Sequence, residues 1–307
     1  MTLPVEAPPG AAHNPVWEPG LDGLWIPGGT FRMGSDRHYP EEAPVHRVRV
    51  DGFWMDRTPV TNRQFRAFVE ATGYATLAEH PSDPKGKSGS LVFTPPKRPV
   101  DLRDWTQWWE FRVGANWRHP YGPSSSIDGQ DDHPVVHVAY RDAEAFALWA
   151  GKTLPTEAEW EFAARGGLDG ADFAWGNDFL PGGRYMANTW QGAFPHQNLR
   201  HDGYERTSPV TAFPANGYGL YDMTGNVWEW TTDWYTSKHT AEATGGLEVD
   251  SYDPHQPQIR IPRKVLKGGS HLCAPNFCLR YRPAARRAQT VDTPAGHLGF
   301  RCIARKT

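Results

Sequence analysis

Glycine and proline are the residues that most restrict what this chain can fold into. The 307 residues include 31 glycines and 28 prolines. Because proline lacks a backbone N–H and glycine tolerates turn conformations, this density predicts many turns and short regular elements. The chain also has 14 tryptophans, which predict that aromatic side chains supply much of the core.

Composition excludes several classes of protein. Hydrophobic residues make up 38% and charged residues 22%, which is typical of a globular chain. The formal net charge of -3 gives no basic footprint for nucleic acid, and no apolar run is long enough to span a membrane. Residues 1–20 lack the basic and apolar segments of a secretory signal. We therefore expect a flexible arm there, one domain over residues 21–307, and a cytoplasmic location.

Local signals predict two helices in the first half of the chain. The first is Asn62–Thr72, preceded by Thr61 as a helix cap and with Gln64 placed to complete a capping box. Apolar residues at helical spacing predict the second over residues 142–150, which ends at a glycine.

A third helix is predicted by a second capping box. Thr156 is followed three residues later by Glu159, and the helix is expected to continue to Arg165 before two glycines. Acidic residues near the start of a helix interact favourably with the helix dipole, so we do not assign those of this helix a catalytic role. They are Glu157, Glu159 and Glu161.

Alternating and short apolar segments predict strands. Residues 24–33 form two extended pieces around a Pro-Gly-Gly turn, and residues 46–50 and 133–138 each form one strand. His133 and His137 would share one face of their strand, which does not indicate a metal site. Residues 80–130 contain several prolines and tryptophans, and we expect a long irregular excursion there.

Two of the three cysteines lie in a glycine- and proline-rich segment. Cys273 and Cys278 follow Gly268 and Gly269, and Pro275 lies between them. These residues disfavour a helix and favour a loop of fixed shape. The spacing is compatible with a disulfide, with a soft-metal site or with two free thiols. A cytoplasmic location weighs against a structural disulfide but leaves a transient catalytic one open.

Two further segments carry many oxygen ligands. Residues 188–204 and 222–230 are rich in asparagine, aspartate and glycine, as calcium-binding loops are. Neither matches the twelve-residue calcium loop, and ordinary turn chemistry explains the composition equally well.

Motifs along nearly the whole chain resemble the sulfatase-modifying factor family, which includes the formylglycine-generating enzymes. The thiol segment is the most specific, because it matches GGSxxCxxxxCxRYRxAAR from Gly268 to Arg286. The other motifs are GGTFRMG (28–34), HPVVHV (133–138), LPTEAEWEFAARGG (154–167), NTWQG (188–192), PANGYGLYDMTGNVWEW (214–230) and LGFRC (298–302).

The resemblance implies both a fold and an activity. The fold is a single irregular α/β (α+β) domain with little regular secondary structure, similar to C-type lectins. The activity is oxidation of the cysteine in a C-x-P-x-R motif of a nascent or unfolded sulfatase to Cα-formylglycine, using dioxygen and a thiol reductant. Neither nucleic acid nor membrane is implied as a partner, and we expect a monomer.

The resemblance also implies site residues. Cys273 and Cys278 would bind copper(I), and soft thiolates do select that ion. Ser270 and Trp228 match family positions near the reacting centre. Two structural calcium ions are implied as well. The first would be bound by Asn188, Thr189, Asp202 and Tyr204, and the second by Asp222, Gly225, Val227 and Glu229.

The chain departs from the family pattern beside the thiols. Phe277 replaces a common tyrosine, and Ala274-Pro275 replaces a frequent histidine-containing pair. Cys302 has no partner once the other two cysteines bind copper, so we expect a buried, inert thiol.

Two other functions stay open. One is a calcium-stabilised module that binds peptides without catalysis. The other is a thiol–disulfide oxidoreductase, although the usual C-x-x-C spacing is absent.

Overall fold

A computed structural model describes residues 23–81, 86–237 and 246–306. The expected arm at residues 1–20 lies outside these ranges. Within them, regular elements are short and turns are many, as the glycine and proline content predicts. The helices are α1 (Asn62–Thr72), α2 (Tyr140–Trp149) and α3 (Glu157–Arg165). The strands are β1 (Gly23–Ile26), β2 (Gly29–Met33), β3 (His46–Val50), β4 (Phe53–Asp56), β5 (Gly89–Phe93), β6 (Trp109–Val113), β7 (Trp228–Trp234), β8 (Arg263–Lys267), β9 (Arg286–Thr290), β10 (Leu298–Gly299) and β11 (Ile303–Arg305).

Four small sheets organise the described residues. The largest has the order β10-β7-β8-β9, in which β7, β8 and β9 pair antiparallel and β10 pairs parallel to β7. A three-stranded sheet has the order β1-β4-β11, so the last strand pairs beside elements from the start of the chain. The two remaining sheets are the antiparallel pairs β2-β3 and β5-β6. The single mixed α/β domain is therefore confirmed.

Aromatic side chains fill the interior, as the tryptophan count predicts. The largest apolar cluster packs α1 and α2 against the four-stranded sheet, and Trp117, Trp228 and Trp230 are buried in it. A second cluster packs α3 against β2 and β4. A third cluster of aromatic rings includes Trp108 and lies beside the cysteine segment.

The predicted helices are confirmed, with one shifted start. Thr61 and Gln64 form the capping box of α1, and Thr156 and Glu159 form that of α3. The second helix begins at Tyr140 rather than residue 142. The reason is that the side chain of Asp142 accepts the backbone N–H of Ala139 at 2.8 Å, so this carboxylate caps the helix from inside its first turn.

The strand predicted over residues 133–138 is wrong. His137 has a φ of 60°, which breaks any extended run, and the segment forms isolated long-range bonds instead. The N–H of Val135 donates to the carbonyl of Val60 at 2.9 Å. The imidazole of His137 contacts Ser90 Oγ at 2.8 Å and the carbonyl of Pro120 at 2.9 Å, so this side chain serves the core.

The excursion predicted over residues 80–130 is only partly irregular. It contains β5 and β6, which pair antiparallel from Gly89 with Val113 to Phe93 with Trp109. Trp108 and Trp117 are buried, as anchoring residues should be, whereas Trp105 is 56% exposed. Within the described ranges, no helix has both the length and the apolar character needed to cross a lipid bilayer.

The acidic residues of α3 do more than favour the helix dipole. Glu161 is fully buried, and its carboxylate contacts Lys267 Nζ at 2.9 Å and Arg165 at 2.6 Å. Glu157 is also buried and takes two bonds from Arg286, at 2.8 and 2.9 Å. These ion pairs connect α3 to β8 and β9, immediately beside the cysteine segment.

Candidate active site in an aromatic cleft

Cys273 and Cys278 lie side by side as free thiols. Their Sγ atoms are 3.1 Å apart, well beyond the roughly 2.05 Å of a disulfide bond. The turn between them is closed by the N–H of Cys278, which donates to the carbonyl of Ala274 at 2.8 Å. Both side chains are buried. Of the three outcomes that the spacing allows, the disulfide is absent from this structure.

The entry to this turn requires glycine. Gly268 and Gly269 have φ values of 91° and 73°, a region that other L-residues rarely adopt. A Cβ on Gly269 would lie 2.6 Å from the carbonyl oxygen of Arg280. The N–H of Ser270 then points to Cys273 Sγ at 3.4 Å, which offsets a part of the rise in the pKa of Cys273 that burial causes.

The two thiols have opposite pKa shifts. The hydrogen bond with Cys273, assisted by the charges of Arg280 and Arg287, lowers the pKa of Cys278 to about 6 despite its burial. Burial raises the pKa of Cys273 well above its usual range, and the neighbouring Cys278 adds to this. The pair therefore carries one proton and one negative charge at neutral pH.

A turn from the start of the chain clamps the residues after Cys278. The N–H of Leu279 donates to the hydroxyl of Tyr39 at 3.0 Å. The next residue, Arg280, contacts the carboxylate of Glu41 at 2.6 Å and its guanidinium lies 3.6 Å from the Tyr39 ring. The buried Arg282 forms two bonds to Glu42, at 2.8 and 2.5 Å. The position of the second thiol thus depends on residues about 240 positions earlier.

The thiol pair lines an open cleft of about 360 Å³. Ser270 and Trp228, both predicted near the reacting centre, line the same cleft. The aromatic residues of its lining include Trp108 and Trp109, at the start of β6, and Phe194 and Phe277, and other lining residues are polar. The polar lining residues include Asp253, Gln256, Arg263, Gln289, Thr290 and Thr293. An open cleft with both aromatic and polar lining residues is suited to binding a polypeptide segment.

The first predicted calcium loop converges on the carboxylate of Asp202. This carboxylate accepts the N–H groups of Thr189 at 3.2 Å and Tyr204 at 3.0 Å. The side-chain amide of Gln191 also donates to Asp202 at 2.8 Å and contacts the carbonyl oxygen of Thr189. Asn188 is buried next to them. The amide nitrogen thus lies between two oxygens that could bind a cation, and an all-oxygen set fits calcium.

The second predicted calcium loop fits less completely. Asp222 is buried with a φ of 51°, and its Oδ1 has no hydrogen-bond partner among the described residues. Burial raises the pKa of Asp222 to about 7. Gly225 and Val227 follow on the same turn, but the carboxylate of Glu229 is already bound. It takes two bonds from Arg301, at 2.7 and 2.8 Å, and one from Trp160 at 2.7 Å.

Sequence comparison identifies the family to which these features belong. The model of the sulfatase-modifying factor enzyme 1-like domain matches residues 12–306. The chain belongs to the sulfatase-modifying factor family. A protein of Mycobacterium tuberculosis named formylglycine-generating enzyme is 55% identical over 291 residues, which cover 91% of this chain and 96% of that protein.

Two further proteins are similar to this chain over most of its length. A mouse protein named inactive C-alpha-formylglycine-generating enzyme 2 is 40% identical over 289 residues, 90% of this chain and 83% of that protein. The solved structure of PvdO from Pseudomonas aeruginosa matches with a TM-score of 0.65 and 25% identity, over 95% of this chain and 100% of that one. The sulfatase-modifying factor fold expected from the sequence is confirmed.

The departures from the family pattern have structural consequences. Phe277 stacks on Phe194 with ring centroids 4.5 Å apart and meets Trp108 edge-on at 5.6 Å. It is 39% exposed, so it contributes an apolar wall where a tyrosine would add a hydroxyl. Cys302 is fully buried and lies outside the cleft, and burial raises its pKa well above the usual range.

Sequence reasoning missed two cleft residues of this sulfatase-modifying factor protein. Arg287 follows the buried Arg286 on β9, so strand alternation places it on the opposite, exposed side, where it lines the cleft. His297 lies just before β10 and lines the cleft as well. The alternation around Arg286 could have indicated the first, but no local pattern marks His297.

Proposed function

We propose that this protein is a formylglycine-generating enzyme that oxidises a cysteine of a sulfatase polypeptide to Cα-formylglycine. The observation that carries the proposal is the pair of buried free thiols, 3.1 Å apart, on an open cleft. A pure binding module has no need for two reactive sulfurs held together. The relative with 55% identity over nearly its full length is named for this activity.

The proposed reaction replaces sulfur by oxygen at the substrate Cβ. The substrate CH2–SH loses two electrons and two protons to become a thioaldehyde, whose hydrolysis gives the aldehyde and releases hydrogen sulfide. One dioxygen is reduced to two waters, of which the hydrolysis consumes one. The balance requires two electrons and two protons, which a thiol reductant provides.

We propose that Cys273 and Cys278 hold copper(I) during this reaction. Two thiolates form a soft donor set, which suits that ion, and the residual charge of the pair favours a cation. Bound copper(I) would supply the redox chemistry needed to activate dioxygen. The protein's own contribution is to keep both sulfurs fixed, through the turn at Ala274 and the N–H of Ser270. The Trp228 side chain, 1% exposed, would cover one side of the centre.

We further propose two structural calcium ions at the predicted loops. The first would be bound by Asn188, Thr189, Asp202 and Tyr204. The second would use Asp222 with the carbonyls of Gly225 and Val227. Glu229, also expected as a ligand, would have to exchange its bonds to Arg301 for the ion, so calcium at that position needs a local rearrangement.

A non-catalytic peptide-binding protein is the second candidate. It is favoured by the existence of a relative named as inactive that shares 40% identity with this chain. Such a protein would bind the polypeptide in the same cleft but leave its cysteine unchanged. Binding alone therefore does not separate the two candidates, whereas product formation does.

The test is mass spectrometry of a C-x-P-x-R peptide incubated with the protein, copper(I), a thiol reductant and air. We expect conversion of the peptide cysteine to an aldehyde, seen as a loss of mass of the peptide that occurs only when copper(I) is present. Cys278→Ser should abolish conversion, whereas the matched variant Cys302→Ala, which removes a buried thiol outside the cleft, should retain it. Tight peptide binding without conversion by the wild-type protein would favour the non-catalytic candidate.

A further inference from the structure

His297 occupies an unusual position in the cleft. It lines the same cavity as both thiols but is only 6% exposed, because its ring packs on Trp109 with centroids 4.6 Å apart. Its backbone is also fixed, since the N–H of Trp228 donates to its carbonyl oxygen at 2.9 Å. The side chain is therefore held rigidly where the four-stranded sheet meets the cleft.

The imidazole of His297 has open hydrogen-bonding capacity. Its Nδ1 is buried and has no hydrogen-bond partner among the described residues. Buried polar atoms are nearly always paired, so an unpaired one in a cleft needs an explanation. Burial, together with the charge of Arg287, lowers the pKa of His297 well below its usual range, so the ring is neutral at neutral pH.

The other buried histidines differ in this respect. Both ring nitrogens of His137 are within 3 Å of protein oxygens, at 2.8 and 2.9 Å. The Nδ1 of His271 contacts the carbonyl of Asn226 at 2.8 Å. The imidazoles of His137 and His271 therefore hydrogen-bond to groups inside the protein, whereas Nδ1 of His297 has no such partner among the described residues.

His297 is also not a third metal ligand in this arrangement. Among the residues that the structure describes, no three His, Cys, Asp or Glu side chains converge closely enough to hold a metal ion. His297 thus lines the cleft together with the thiols without forming such a cluster with them. A neutral imidazole that lines the cleft is available to form a hydrogen bond with a polypeptide that enters it.

We propose that His297 binds the substrate polypeptide by a hydrogen bond from its imidazole to the chain beside the reacting cysteine. This deepens the proposed function and rests on it, because it assigns the polar contact that positions the substrate against the thiols. The rigid packing on Trp109 and the backbone bond to Trp228 pre-organise the ring, so little freedom is lost on binding.

The departures beside the thiols make this contact more important here. Phe277 has no hydroxyl, and Ala274-Pro275 supplies no histidine, so the turn itself offers few side-chain hydrogen bonds to a substrate. His297 is a polar residue of the same cleft, and its ring packs on that of Trp109. The polar contact to the substrate would therefore come from β10's start instead of from the thiol turn.

The experiment compares His297→Leu with His297→Asn. Leucine removes the hydrogen bond, whereas asparagine retains one. For each variant we would measure kcat and KM with a cysteine-containing C-x-P-x-R peptide, the Kd of the same peptide with serine in place of cysteine, copper(I) affinity and Tm. His133→Gln is the matched control, because His133 contacts Thr207 outside the cleft.

We expect His297→Leu to raise both KM and the Kd of the serine peptide about tenfold, which corresponds to the loss of one hydrogen bond. Asparagine should restore both to within about threefold of wild type, with copper(I) affinity and Tm unchanged. Wild-type peptide binding by the leucine variant, or a loss of copper(I) binding in it, would overturn the proposal. If the wild-type protein binds the peptide without oxidising it, the proposed function fails, and the serine-peptide Kd still decides the role of His297.

Discussion

The Glu42–Arg282 pair offers a direct test of how the cysteine turn is held in place. Both side chains are almost completely buried, and two of the guanidinium nitrogens contact the two carboxylate oxygens at 2.8 and 2.5 Å. The third nitrogen donates to the carbonyl of Leu279, one residue after Cys278, at 2.8 Å. The perturbation is Arg282→Met, which keeps most of the volume but leaves Glu42 without its partner.

The expected loss of stability follows from the burial of the Glu42 carboxylate without a charged partner. Removing one partner of a buried ion pair costs about 3–5 kcal/mol, because the remaining charge stays out of water. Unfolding a chain of 307 residues carries an entropy of about 0.6 kcal/mol/K, so the Tm should fall by about 5–8 °C. In Arg282→Met/Glu42→Met no charge remains buried. Only the bond to Leu279 is then lost, and the cost should drop to about 1 kcal/mol.

The assay is thermal unfolding of the two single variants and the double variant at pH 7. The matched control is Arg103→Met, because Arg103 pairs with Asp101 on the surface and is 90% exposed. That control should leave the Tm unchanged. A decrease in Tm of less than about 2 °C in Arg282→Met would refute the reasoning. A double variant whose Tm is no higher than that of the less stable single variant would refute it as well.

Three further predictions use other parts of the molecule. Burial lowers the pKa of His137 to about 4, whereas an unfolded histidine titrates near 6.5, so the unfolded state gains its proton first and stability is lost as the pH falls through this window. We would replace His137 by asparagine, which tolerates the positive φ of this position. Between pH 6.5 and 4 the unfolding free energy of His137→Asn, measured by urea titration, should decrease by up to about 3 kcal/mol less than that of the wild-type protein. Arg287→Gln should raise the pKa of Cys278, seen as slower thiol alkylation at pH 6.5, and an unchanged rate would contradict the role of that charge. If calcium binds at the first loop, adding a chelator should lower the Tm of the wild-type protein, and Asp202→Asn should unfold at the same temperature with or without chelator.

Secondary structure with local causes could be predicted from the sequence. The capping boxes at Thr61 and Thr156 involve residues three positions apart, and both helices start where those boxes place them. The segment 133–138 failed because its backbone partners are remote. The N–H of His137, for example, donates to the carbonyl of Ala295 at 3.0 Å. Alternation of apolar residues does not reveal bonds across such a distance.

The candidate site likewise has features that the sequence predicted and features that it did not. The thiol segment predicted a loop of fixed shape at Gly268 and Gly269, and the positive φ values there agree. It could not distinguish a disulfide from free thiols, because the separation of the sulfurs depends on the whole turn. The roles of Glu157 and Glu161 were also missed. Their partners Lys267 and Arg286 are more than 100 residues away along the chain.

By itself, the sequence determined the family, the position of the thiol pair and the ends of two helices, because each is encoded in a short contiguous pattern. The tertiary structure decided what surrounds that pair. It brought Tyr39, Glu41 and Glu42 onto the residues after Cys278, and it placed His297 in the cleft with Nδ1 unpaired among the described residues. The physical reason is that burial sets the charge of a thiol, an acid or an imidazole, and burial is created only when distant segments pack together.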